Sequence, residues 1–364
     1  MRQIFAIAQV ELTRLMRSWI AFTLLLLVPA LQVILFGYAI RPQAAALTAV
    51  IAAPSPTLAT AAAKRLGADG GITIISDKLK PGTAEASVRR GEALIGIEVP
   101  ASPSMANPFA KQQPLHVIID ASNAALADGV AARIKADYWK AVAERGDADA
   151  SGPGLRIDHL YNPGLRSDWT FLPALVGVTV MISMILLGCL SLAREREAGT
   201  WETLLSLPIG RARLLAGKLL PYMIMGTVQG ALVLAAGVLL FDLPVRGSIV
   251  PLLLLLPIFS AAHFLLGYAV SARARNQIEA LQGAIAFYLP AMLLSGFLYP
   301  FETLPKWAQM IGTLFPLTHF IRAARGVLLR GEGVSQIAGD AGAIILFLIC
   351  AGGIGLTLQS RQMD

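Results

Sequence analysis

Charged side chains are scarce in this chain of 364 residues: Asp, Glu, Lys and Arg together make up 15%, against about 25% in an ordinary soluble domain. Cysteine is scarcer still. Cys189 and Cys350 are the only two, and both sit in apolar runs, which excludes a disulfide scaffold. The four histidines, His116, His159, His263 and His319, lie far apart, with no H-E-x-x-H or C-x-x-C spacing, so no metal site is expected. No G-x-S-x-G elbow is present, and no catalytic residue is expected. The nearest approach to a phosphate-cradling loop pairs Gly210 with Gly217-Lys218. Its glycines are too widely spaced, and Leu219 stands where Ser or Thr should hold Mg²⁺. The low hydropathy that disorder requires is missing too, since the mean hydropathy is +0.64.

What is present is apolar length. Six stretches without Asp, Glu, Lys or Arg cover residues 18–40, 169–193, 219–241, 249–272, 280–301 and 341–360. About 20 residues at about 1.5 Å each cross the roughly 30 Å hydrocarbon core. The expectation is a polytopic α-helical membrane protein with six transmembrane helices. The first stretch is too long for a cleaved signal, whose apolar region runs about 7–15 residues, and it reads as an uncleaved anchor. Residues 1–17 precede it with Phe5, Ala8, Leu12 and Leu15 at helical spacing, opposite Arg2, Gln9 and Thr13. That pattern predicts an interfacial helix.

Residues 41–168, between the first two spans, differ in kind. Short β-rich runs at 47–52, 72–76, 93–99 and 115–120 alternate with helix-like runs at 56–66, 83–90 and 121–144. Such alternation predicts a small α/β domain. Asp120 followed by Ser122-Asn123 reads as a strand-to-helix turn with a capping side chain, not as an active-site carboxylate. The five-span remainder covers residues 169–364.

Orientation follows from basic residues at span ends. A cytoplasmic N-terminus puts Arg2, Arg14, Arg17, Arg194, Arg196, Arg211, Arg213, Lys218, Arg273, Arg275 and Arg361 inside. The short outer loops then hold Arg246, Lys306, Arg322, Arg325 and Arg330. Both termini are therefore expected in the cytoplasm and the α/β domain outside. The net charge of +7 comes mostly from these inner segments, so it reads as an orientation signal and not as affinity for nucleic acid.

Polar groups within spans are costly unless paired. Gln32, Gln229, His263 and Gln282 are candidates for lining a path between helices, or for hydrogen-bonding neighbours and holding the bundle together. Between the second and third spans, Gly199 permits a break after Arg194 and Arg196, and Thr200 can cap a short helix with Trp201, Leu204 and Leu205 on one side. An amphipathic helix there can dock into a groove on a soluble partner; a solvated interfacial loop is the alternative.

At this loop the chain resembles the membrane subunit of class-2 ABC transporters, the ABC type-2 permease family. The carrying residues are Glu195-Arg196-Glu197-Ala198-Gly199-Thr200-Trp201-Glu202, then Leu204-Leu205-Ser206-Leu207-Pro208 and Gly217-Lys218-Leu219-Leu220-Pro221. The resemblance also covers Leu298-Tyr299-Pro300 and Phe315-Pro316-Leu317-Thr318-His319. It implies that residues 195–207 form a coupling helix in which Glu195, Glu197, Gly199, Thr200, Trp201, Glu202, Leu204 and Leu205 meet an ATPase. It also implies that residues 300–336 form short helices at the outer face, with Trp307 and Phe320 as interfacial anchors. The large insert after the first span points to bacterial exporters described as multidrug permeases. No cofactor is expected on this chain, because the resemblance puts ATP and Mg²⁺ on a separate ABC ATPase subunit. Further implied partners are a second permease subunit (homodimer or heterodimer), a periplasmic adaptor protein and the bilayer of the inner membrane. A membrane-anchored receptor or envelope-assembly factor is the competing reading, since an extracytoplasmic domain would serve it equally well.

Overall fold

The computed structural model describes residues 2–18, 23–27, 29–30, 32–33, 47–66, 72–100, 115–144, 155–200, 210–274 and 276–360. The chain divides into two compact units. One comprises Met1–Ile40, Phe171–Phe301 and Lys306–Asp364, and the other Arg41–Thr170 with Glu302–Pro305.

The second unit is built on a five-stranded sheet. Its elements in chain order are β1 (Leu47–Ala52), α2 (Pro56–Leu66), β2 (Ile72–Leu79), α3 (Ala84–Arg89), β3 (Ile95–Glu98), β4 (Leu115–Asp120), α4 (Ala124–Glu144) and β5 (Leu155–Leu160); α1 is the N-terminal helix Arg2–Arg17 of the other unit. The strand order is β2-β1-β3-β4-β5. All pairs are parallel except β3 with β4, which are antiparallel. Alternation along each strand sends Ala49, Ile51, Ile95, Ile97, Val117 and Ile119 to one face, where they pack with Leu126, Val130 and Ile134 of α4. On the other face α3 lies against Gly96, where an added Cβ would sit 3.0 Å from both the Ala84 carbonyl oxygen and Val88 Cγ2. The β4–α4 turn is closed by its own side chains. Asp120 Oδ1 accepts from the Ser122 amide, and Asn123 Oδ1 accepts from the Leu126 amide as the helix cap. The fifth strand, β5, carries no β-rich run that a search for apolar stretches would find.

The first unit is helical: α5 (Ser167–Glu197), α6 (Arg211–Phe241), α7 (Val250–Ser271), α8 (Gln277–Leu294), α9 (Lys306–Gly312), α10 (Pro316–Arg325) and α11 (Val334–Ser360) follow α1. Among the described residues, five helices are long and apolar enough to cross a membrane: α5, residues 212–241 of α6, α7, α8 and residues 334–358 of α11. Of the expected first span, residues 18–40, only Ser18 and residues 23–27, 29–30 and 32–33 are described.

Glycines set how closely the long helices approach. At Gly188 an added Cβ would lie 2.3 Å from the Phe264 carbonyl oxygen, and at Gly267 2.2 Å from that of Ile185. Helices α5 and α7 therefore cross backbone to backbone, a contact that only small residues permit. The Cys189 thiol donates to the Gly267 carbonyl across the same contact.

Span limits differ from the charge-free stretches for physical reasons. Helix α8 ends at Leu294, short of residue 301, because Gly296 takes a φ of +85°. Helix α11 begins at Val334 and encloses Asp340, whose carboxylate is paired with His319 Nδ1 at 2.7 Å. Phe320 is not an interfacial anchor. It is fully buried and packed on Phe259, whereas Trp307 is exposed.

Candidate functional site

Among the described residues of the helical unit, a buried cluster of charge joins α1, the end of α5 and the start of α6. Helix α1 packs along α6. The close approach depends on Gly217, where an added Cβ would lie 2.8 Å from Ile7 Cβ. Its neighbour Lys218 then reaches inward. Lys218 Nζ lies 2.5 Å from Glu195 Oε1 and 3.1 Å from Glu11 Oε1. Arg14 donates to the same Glu195 oxygen at 3.2 Å, and the Tyr222 hydroxyl donates to Glu11 Oε2 at 3.4 Å. Glu11, Glu195 and Lys218 are 5%, 3% and 1% exposed. Two carboxylates and two cations balance here, the condition under which charge survives burial. Glu195 Oε2 is buried with no hydrogen-bond partner among the described residues.

The apolar stripe of α1 is divided: Ala8 and Leu15 are buried together with Glu11, while Phe5 and Leu12 are exposed, as is Met16. The pairing of Glu11 with Lys218 fixes this rotation of the helix.

The two residues after Glu195 bind elsewhere. Arg196 donates to the carbonyls of Ser271, Ala272 and Ala274 at 3.4, 3.1 and 3.1 Å, at the C-terminus of α7. Carbonyls at a helix C-terminus carry partial negative charge and favour a cation, although that of Ser271 also accepts from the Ala274 amide. Glu197 accepts from the Gln277 amide at 2.8 Å and from the Gln277 side chain, at the N-terminus of α8, where a carboxylate is favoured. Gly199 then ends the helix with a φ of +67°. The Thr200 hydroxyl donates back to the Glu195 carbonyl at 3.2 Å. Trp201, Glu202, Leu204 and Leu205 lie outside the described residues.

A family profile for ABC-2 family transporter proteins matches residues 17–357. The chain belongs to the ABC-2 transporter family. Among its relatives is the probable multidrug ABC transporter permease YbhR of Escherichia coli, 25% identical over 99% of both chains. YbhS of the same organism, also a probable multidrug ABC transporter permease, is 26% identical over 100% of this chain and 98% of its own. The inner membrane transport permease YhhJ of E. coli is 33% identical over 48% of this chain and 46% of its own. The chain is thus a multi-pass membrane permease.

In this ABC-2 permease, three of the four polar candidates in the spans, Gln32, Gln229 and His263, are hydrogen-bonded within the bundle. Thr179 of α5 donates to Gln32, and one turn further along Gln229 of α6 donates to the Ser183 hydroxyl at 2.8 Å. His263 Nδ1 donates to the Phe259 carbonyl within α7 at 2.9 Å, and the ring is fully buried between Phe259 and Phe347. Gln282 is exposed on α8. The described residues do not bring these four together. Lys218, Glu11 and Arg14 were not among the candidates drawn from the sequence. Glu11 falls at helical spacing between Ala8 and Leu15, and that intrusion of charge into an apolar stripe is the signal that points to it.

Proposed function

We propose that this chain is the membrane-embedded subunit of an ATP-driven exporter that moves a lipophilic or amphipathic substrate out across the bacterial inner membrane. ATP and Mg²⁺ bind to a separate ABC ATPase, and this chain is itself non-catalytic. Six spans, completed by residues 18–40, leave both termini in the cytoplasm and the sheet unit outside. Two permease subunits form the path between them, and the sheet unit meets cargo, a periplasmic adaptor or the other protomer. Relatives carry multidrug permease in their names, and drug-like compounds are the first substrates to test.

The observation that carries the reading is the buried contact of Lys218 with Glu195 and Glu11. It stands at the start of residues 195–207, the segment expected to meet the ATPase, with Trp201, Glu202, Leu204 and Leu205 on the docking helix. Displacement of that segment on ATP binding would be carried through Glu195 into α1 and α6 together. The test compares transport and ATP hydrolysis in proteoliposomes holding the permease with its ATPase. Glu202→Ala and Gly199→Val should abolish transport while membrane insertion is unchanged. Normal transport by both variants would overturn the assignment, and so would ATP hydrolysis by the permease alone.

A further inference from the structure

Arg196 and Glu197 are consecutive, opposite in charge, and bound to opposite ends of two helices that meet in one turn. Arg196 holds the carbonyl terminus of α7 through three acceptors at 3.1–3.4 Å. Glu197 holds the amide terminus of α8 through Gln277, and Asn276 caps the same helix by accepting from the Glu279 amide at 2.8 Å. The backbone before and after the α7–α8 turn is thereby fixed to a single dipeptide. With Glu195 tied to Lys218 and Arg14, three successive side chains at the end of α5 grip four other helices.

We infer that Arg196 and Glu197 are positioning residues that make the α7–α8 turn move together with the segment following α5. The inference rests on the coupling reading above. Under it, a shift of the coupling segment, residues 195–207, is delivered to α7 and α8 at their termini, where a polar grip transmits both push and pull. The geometry suits this role. A planar guanidinium reaching three carbonyls fixes orientation as well as distance, and a carboxylate accepting two N–H groups from one residue does the same. Cavity-filling contacts, by contrast, would let the two segments slide.

The test uses the full-length permease assembled with its ATPase, in a Cys350→Ser background, because Cys350 is exposed while Cys189 is buried. A single environment-sensitive fluorophore is attached through Ala198→Cys or, separately, Arg273→Cys, both exposed positions. Emission is compared between the nucleotide-free complex and one trapped with ATP and vanadate. Both labels should respond in the parent. Arg196→Ala and Glu197→Ala should each abolish the response at position 273 and keep that at position 198. Glu197→Gln retains an acceptor for the Gln277 amide and should keep both. If Arg196→Ala does not assemble, Glu197→Ala supplies the same comparison, since Glu197 is exposed. A response at position 273 that survives Glu197→Ala, or one absent from the parent while position 198 responds, overturns the inference and leaves the coupling reading standing. Loss of both signals in Glu197→Ala overturns it too, as a general loss of docking. A parent silent at position 198 overturns the coupling reading itself.

Discussion

The two units of this permease use the same charged residue types in opposite ways. In the sheet unit several ion pairs are at the surface: Arg89 and Glu85 are 55% and 44% exposed, and Arg156 is 64% exposed beside Asp158. In the helical unit Lys218, Glu11 and Glu195 are almost completely enclosed. Water screens the first set, so each pair contributes little. The second set has no such screening, and every charge in it depends on its partners. Position in the fold, more than residue identity, decides whether an ion pair is an accessory or a structural requirement. The glycines divide similarly. Gly267 faces a backbone oxygen 2.2 Å from its added Cβ, Gly96 one at 3.0 Å.

The contrast breaks most sharply at Lys218. Lys218→Met leaves two buried carboxylates with only the half-exposed Arg14, and removal of one partner from a buried pair costs about 3–5 kcal/mol. A large loss of thermal stability in detergent and loss of ATP-coupled transport are expected. Combining Lys218→Met with Glu195→Gln should recover much of the stability without recovering transport, because the connection between α5 and α6 stays severed. Equal recovery of both would show that the pair is only structural. Next in size is Gly267→Ala. Overpacking costs about 1–3 kcal/mol, and the facing oxygen belongs to a helix backbone that cannot rotate aside. Gly96→Ala meets a looser contact, and its effect on unfolding of the full chain should be the smaller of the two.

Much of the sheet unit is legible in the sequence. Strand β1 and helix α2 can be read residue for residue, since apolar and β-branched residues stop at Pro54 and resume with helical spacing at Pro56. Ser122 and Asn123 are both recognisable as cap candidates from their place after a strand, and the fold uses Asn123. Strand β5 escapes because Arg156, Asp158 and His159 interrupt it. An edge strand with one solvated face has no continuous apolar run to detect. For the helical unit, a search for charge-free stretches finds the apolar centres and misses the ends. Helices α5, α6 and α11 extend through Glu197, from Arg211 and from Val334, so the search discards the residues that form the candidate site. Glu195 and Glu197 are found in the sequence as residues that would face a partner. Their partners in the fold lie within this chain, which no local pattern reveals, because the contacts join residues 11, 195, 218 and 277.

Acid should separate the two units gently. Burial holds the His159 imidazole below its ordinary range, with Lys135 adding to the effect. The folded state therefore favours neutral His159, and the unfolded state binds more protons. Stability of the sheet unit is then lost as pH falls below the ordinary histidine value of 6.5. Asp158, held low first by its hydrogen bond to Arg156, adds a second loss only as pH falls below 3.8. Protection of β5 amides in the full chain, after correction for the slower intrinsic exchange at lower pH, should fall between pH 7 and pH 5, a window wide enough to span the histidine alone. His159→Gln should flatten that change, and an unaltered profile would remove His159 from the account.

The smallest effect is expected where the contrast predicts almost none. Arg89 and Glu85 pair at 2.7 Å across one turn of α3, a distance between the 2.5 and 3.1 Å found around Lys218. Distance alone would rank the two alike. Exposed pairs at this spacing contribute about 0.3–0.5 kcal/mol, and salt screens them further. Arg89→Ala should thus shift the unfolding midpoint barely beyond error at low salt and not at all at high salt. The Lys218→Met deficit should persist at both ionic strengths, because ions do not reach its site. A salt-sensitive Lys218 deficit, or a large and salt-resistant Arg89 deficit, would mean that enclosure is not what separates the two sets of charges.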